Sequence, residues 1–160
     1  MNLVTVVIET PRHSRGKYVY DKKNKRFCLK KLLPLGMSFP YDFGMVEDTK
    51  GEDGDPVDAM VITEFDTYPG IEMKCRVIGA LLADQRSSGK KAVRNDRFFF
   101  IPEESFIYDH ITDIKDFSSE HNRQLAEFFI NYNKAENKEF VPLELLNMVA
   151  AKKLLGKELH

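Results

Sequence analysis

No stretch of this sequence approaches the roughly 18 consecutive apolar residues that a membrane-spanning helix requires. The opening run Met1 to Ile8 is apolar, but it lacks a basic leading region and a small-residue cleavage site, so it reads as a first strand and not as a signal peptide. Net charge is missing too: 24 Lys plus Arg oppose 25 Asp plus Glu, leaving −1. No global field exists to hold nucleic acid or an anionic membrane, and any electrostatic work must be local. Cysteine is scarce. Cys28 and Cys75 each lie in an apolar or alternating stretch, the pattern of reduced, partly buried thiols. These absences predict a cytoplasmic protein with neither a nucleic-acid nor a membrane partner.

What is present suffices for a core. A chain of 160 residues, 42% hydrophobic and 31% charged, is expected to fold as one domain, 1–160, burying about two-thirds of its unfolded surface. The first hundred residues alternate β-rich runs with turn residues. Candidate strands are Leu3 to Glu9, Lys17 to Tyr20, Arg26 to Leu32, Ala59 to Thr63, Met73 to Leu82 and Arg97 to Ile101. No helix separates them, which favours a small closed or nearly closed barrel over a parallel sheet. The last fifty residues turn helical. Leu125, Phe128, Phe129 and Tyr132 form one apolar stripe, on a helix whose cap is expected at Ser118 or Ser119. Asn133 to Glu139 reads as a polar connection. A second helix is expected from near Pro142, suited to a first helical position, to Gly156, suited to the position past a C-terminus. The class predicted is α+β with a mainly β core.

The densest chemistry lies in Gly51-Glu52-Asp53-Gly54-Asp55-Pro56-Val57-Asp58, where Asp53, Asp55 and Asp58 crowd into six residues beside Gly and Pro. Gly54 permits a tight backbone, Pro56 biases Asp55 toward an extended conformation, and Val57 can anchor the loop in the core. An extended stretch projects Asp53 and Asp55 to one side, and a turn at Pro56 can bring Asp58 to meet them. Carboxylates so arranged suit a hard cation such as Mg²⁺. The same residues are also ordinary turn formers, so spacing alone leaves a solvated hairpin open. An EF-hand fits poorly, because Val57 takes the third ligand position and no glutamate stands at the twelfth.

Asp53-Gly54-Asp55-Pro56-Val57-Asp58 resembles the D-x-D-P-x-D signature of the soluble inorganic pyrophosphatases. Further segments match that family in the same order. Val6-Val7-Ile8-Glu9-Thr10-Pro11 is similar to its opening strand, Lys17-Tyr18 to its lysine strand, and Phe39-Pro40-Tyr41-Asp42-Phe43-Gly44 to its F-P-x-x-Y-G turn. Tyr108 to Ile114 is similar to its D-x-I-x-D-I segment, and Phe128 to Tyr132 to its tyrosine-bearing helix, so the likeness spans roughly Val6 to Leu155. The resemblance implies an OB-like five-stranded barrel with flanking helices, Mg²⁺-dependent hydrolysis of pyrophosphate and assembly into a homo-oligomer. It implies metal binding by Asp53, Asp58 and a second acidic segment supplying Asp84 or Asp96, with Glu9 orienting metal-bound water. It places Asp55 on the attacking water and Lys17, Lys31, Arg97 and Tyr132 on phosphate.

The chain departs from the family at several of these positions. Lys31 stands for an arginine, Phe39 and Phe43 for tyrosines, Val19 for a glutamate and Asn133 for a lysine. The second acidic segment, Asp84 to Arg97, is long and basic. If Arg97 takes the family lysine's place, Asn95 falls on a metal-binding aspartate and Asp96 on the opposite face of the strand. Its basic residues read as a solvated hairpin or as compensation for the missing cations. A catalytically impaired member that binds a phosphorylated ligand is the alternative. Single-stranded nucleic-acid binding on an OB-like barrel has the aromatics but no basic surface.

Overall fold

A computed structural model describes residues 3–159. Nine strands are present: β1 Val4–Thr10, β2 Gly16–Asp21, β3 Arg26–Leu32, β4 Asp42–Val46, β5 Asp58–Val61, β6 Glu72–Ser87, β7 Val93–Arg94, β8 Arg97–Pro102 and β9 Lys138–Leu146. A 3-10 turn, Ile114–Asp116, and two helices, α1 Ser119–Ala135 and α2 Met148–Glu158, complete the fold. Strands β1, β4, β5, β8 and β6 pair in that order, and β6 returns to β1, closing a ring of five. This is the predicted architecture. The order was not simple to foresee, because β5 and β8 pair in parallel while the others are antiparallel. Strands β2 and β3 form a separate hairpin.

The long strand β6 organises the molecule, since it pairs with β1, β7, β8 and β9 along its length. Strand β8 is buried at every position. Its alternating side chains divide between two clusters: Phe98 and Phe100 with Ala151 and Leu155 of α2, Phe99 and Ile101 with Leu125 and Phe129 of α1. A strand covered on both faces shows no polar alternation, as its sequence Arg97-Phe98-Phe99-Phe100-Ile101 reads. Among the described residues no helix is long and apolar enough to cross a membrane. Cys28 and Cys75 are free, and burial pushes the Cys75 thiol up to about 12.

Three sequence expectations change. The segment Phe39 to Gly44, likened to a turn, runs into a strand, β4 Asp42–Val46; Gly44 is required there because a Cβ would fall on the Val7 carbonyl of β1. Pro142 does not start a helix but sits in β9, opposite Ala83, where the register of β6 and β9 shifts. Proline lacks an N–H, and such an irregularity in a strand at the sheet's margin tolerates it. The second helix starts instead after Asn147, whose side chain accepts from the Ala150 N–H at 2.9 Å, and Gly156 lies inside it. For α1 the cap is Ser118, which accepts from the His121 N–H at 3.1 Å, as expected.

Candidate active site

The acidic loop is held by its backbone and by Thr49. Thr49 Oγ1 donates to the Val46 carbonyl at 2.7 Å and accepts from the Val57 N–H at 2.9 Å, tying both ends of the loop together. The Gly51 N–H donates to the Asp55 carbonyl at 2.8 Å, and Gly54 adopts φ +87°, the left-handed region that the turn requires. Val57 is buried, so the loop is pinned at its base while Asp53 and Asp55 remain exposed. Asp58 begins β5 and is half-buried. All three aspartates line a cavity of ≈ 470 Å³, with Glu9 from β1 and Lys17 from β2 on its other sides.

Beside Asp58 lies a tight polar network. Arg97 is its register partner across the parallel pair β5–β8, and Nη1 donates to Asp58 Oδ2 at 2.7 Å. The same nitrogen reaches the Asn95 carbonyl at 3.0 Å, and Nη2 donates to Gln85 Oε1 at 3.1 Å. Gln85 Oε1 also accepts from Asn95 Nδ2 at 3.1 Å. Below, the guanidinium packs on the rings of Phe129 and Phe140, 5.4 and 5.3 Å from their centroids. Burial raises the Asp58 pKa, Arg97 opposes that shift, and the Asp53 and Asp55 charges add to it.

The second acidic segment divides between two faces, as expected for Asn95 and Asp96. Asp84 does not line the cavity; its neighbour Gln85 does, because β6 presents alternate residues to opposite faces. Asn95 faces the cavity, whereas Asp96 turns to an adjoining recess, where its carboxylate accepts from Arg94 Nε at 2.7 Å and the Ala83 N–H at 3.1 Å. Two amides thus stand beside Asp58, linked to it through Arg97.

The opposite wall is basic. Lys17 and Lys31 are register partners across β2–β3, and both ammonium groups reach Glu136 Oε1, at 3.4 and 3.3 Å. Lys31 lies behind the cavity surface and meets it only through Glu136. Lys17 Nζ also stands 5.1 Å from the Tyr132 ring centroid. Burial lowers the Lys17 pKa despite the pull of Glu136. Tyr132 rests on Phe39 and Phe128, and its buried hydroxyl has no hydrogen-bond partner among the described residues. Burial first, then the Glu136 charge, raises its pKa. Glu9 accepts from the Tyr20 N–H at 3.1 Å, and burial raises its pKa.

Sequence reading missed Gln85, Glu136 and Lys138 of this cavity. Gln85 was one residue from an expected ligand. Glu136 and Lys138 sat in a segment read as a connection, and only the return of β9 onto β6 brings them in.

Chemically, the cavity sets carboxylate and amide oxygens against ammonium groups. Hard oxygen donors of this kind fit a small divalent cation. Among the described residues no three carboxylates converge into a ready cage, which agrees with an ion that takes one or two carboxylates and completes its shell with water and phosphate oxygens.

Comparison with known proteins agrees with this geometry. Residues 6–160 match the sequence model of the family described as inorganic pyrophosphatase. The chain is 31% identical over 144 residues to the inorganic pyrophosphatase of Leifsonia xyli, covering 90% of this chain and 85% of that one. It is 34% identical to that of Synechocystis, over 85% of this chain and 78% of the relative. The solved structure of the inorganic pyrophosphatase of Helicobacter pylori superposes with a TM-score of 0.86 at 29% identity, over 98% of this chain and 91% of its own. With one family matched along nearly its full length, in sequence and in fold, this chain belongs to the inorganic pyrophosphatases.

Proposed function

We propose that this chain hydrolyses inorganic pyrophosphate to two phosphates by direct attack of water, in the cytoplasm and as a homo-oligomer. The observation that carries the reading is a single cavity in which three aspartates face Lys17 and the unpartnered Tyr132 hydroxyl. Phosphoryl transfer asks for charge neutralisation, an oriented water and a stabilised leaving phosphate. Mg²⁺, when bound, neutralises phosphate oxygens and eases ionisation of water. Asp53 and Asp58 are the side chains that would hold it, and Glu9, across the cavity, would orient water beside it. Arg97 fixes the orientation of the Asp58 carboxylate from behind. Asp55, whose backbone N–H is held by Asp53 Oδ1 at 3.1 Å, accepts the proton of the attacking water. Lys17 neutralises the departing phosphate, and Tyr132 Oη donates to one of its oxygens, which gives that buried hydroxyl a partner. Lys31 acts at one remove, through Glu136.

A second reading, a protein that holds a phosphorylated ligand without turning it over, is favoured by the amides Gln85 and Asn95 beside Asp58, where the family resemblance calls for a carboxylate. One experiment separates the two: phosphate release from pyrophosphate with and without Mg²⁺, beside Asp55→Asn purified identically. Magnesium-dependent release that falls by about a hundredfold or more in the variant is the expected result. Equal rates from the two proteins would assign the activity to a contaminant.

A further inference from the structure

Glu136 is placed where helix and sheet electrostatics both need explaining. It caps the C-terminus of α1, its N–H bonding the Asn133 carbonyl, and a carboxylate at that end of a helix is disfavoured by the macrodipole. Lys17 and Lys31 face each other directly across β2–β3, and like charges so opposed destabilise a strand pair. Lys138, at the start of β9, brings a further ammonium to within 3.7 Å of Glu136 Oε2. Three cations from three strands therefore converge on one side chain that is only 10% exposed. Burial works to raise the Glu136 pKa, but Lys17 and Lys31 prevail and hold it below the ordinary value.

We infer that Glu136 is a resident anion in the lysine cluster: its carboxylate takes the place of a phosphoryl group, and a bound phosphate must exchange with it for Lys17 and Lys138. This rests on the reading of the cavity as a pyrophosphate site and adds an affinity-determining residue to it. The cavity is lined by Glu136 together with Lys17, Lys138 and Tyr132, so entering phosphate and the carboxylate contend for the same ammonium donors. When the site is empty, Glu136 offsets one of the three lysine charges. The cost falls on substrate affinity.

The test is Glu136→Gln, which keeps the shape and the cap and removes the charge, beside Glu139→Gln, which removes a charge from the exposed neighbouring pair with Arg86. Inorganic phosphate is the probe, its affinity read by calorimetry and by the rise in melting temperature it causes. Glu136→Gln is expected to melt lower without phosphate, to bind phosphate at least about threefold tighter and to gain more stability from it than the wild type. KM for pyrophosphate should fall by a similar factor with kcat little changed. Glu139→Gln should leave phosphate affinity unchanged. Unchanged or weaker phosphate binding by Glu136→Gln would overturn the inference and make Glu136 a holder of the lysines. An equal gain in both variants would overturn it in favour of a general charge effect. Should the wild type bind phosphate yet release none from pyrophosphate, the binding results still decide the role of Glu136 while the catalytic reading falls.

Discussion

On one wall of the cavity Asp53 and Asp55 stand exposed on a turn pinned only at its base, while on the other Lys17, Lys31 and Lys138 close around Glu136. The acidic wall is left with unmatched charge at its rim and is matched only in its depth, where Arg97 holds Asp58. The basic wall carries a counter-ion of its own, one carboxylate among three ammonium groups. An acidic rim without counter-ions among the described residues is relieved by a cation; under the proposed exchange, the basic wall gives up its carboxylate to its ligand. The difference separates what each wall contributes. In the proposed function the carboxylates hold an ion, and the lysines take phosphate by exchange with Glu136.

The comparison breaks most sharply at the joint between the walls. Arg97→Ala leaves Asp58 without its counter-ion and the Phe129–Phe140 stack without its cover, and should cost about 3–5 kcal/mol of stability in urea unfolding. A loss under about 1 kcal/mol would mean that water replaces the guanidinium freely and that the acidic wall is solvated throughout.

Smaller, and opposite in sign between stability and function, is Tyr132→Phe. It deletes a buried hydroxyl that has no partner, so thermal stability should hold or rise slightly, while turnover should drop by about tenfold through loss of a phosphate donor. A variant with reduced stability and unchanged turnover would show the hydroxyl to be satisfied within the protein.

The smallest effect is in pH. The folded-state pKa of Glu136 lies below its ordinary 4.5, so its contribution is present above that value and is lost as pH falls through the depressed one. Asp58 and Glu9, both raised, run the other way: their charged forms weigh against folding, and acidification relieves them. The stability gap between wild type and Glu136→Gln should therefore be roughly 1 kcal/mol at neutral pH and close below pH 4.5, measured by denaturant titration at several pH values. A gap that does not vary with pH would remove the lysine cluster as its origin.

How much of this was legible depended on the range of the interaction. The aspartate loop could be read because Gly, Asp and Pro act on their own backbone, and α1 because its apolar stripe and serine cap are local. The ring was foreseen from short β-rich runs without intervening helices. Pro142 misled because its helical preference is local whereas its place in β9 is set by pairing with β6. Gln85 could not be told from Asp84 without the register that decides which of two adjacent side chains faces inward. Glu136 was hidden most deeply: its three lysines come from β2, β3 and β9, and no pattern within any one segment announces their meeting.

Closure of the ring through β1 has a consequence for how the molecule comes to exist. Strand β1 pairs with β4 through Phe43 to Val46 and with β6 through Glu72 to Cys75, so it waits for partners that are made much later. Until then Val6 and Ile8, fully buried in the finished protein, stay uncovered, and Glu9 has no cavity to face. High contact order of this sort slows folding and exposes nascent apolar strands. The candidate pocket is thus finished by a strand that is made before its partners and placed after them.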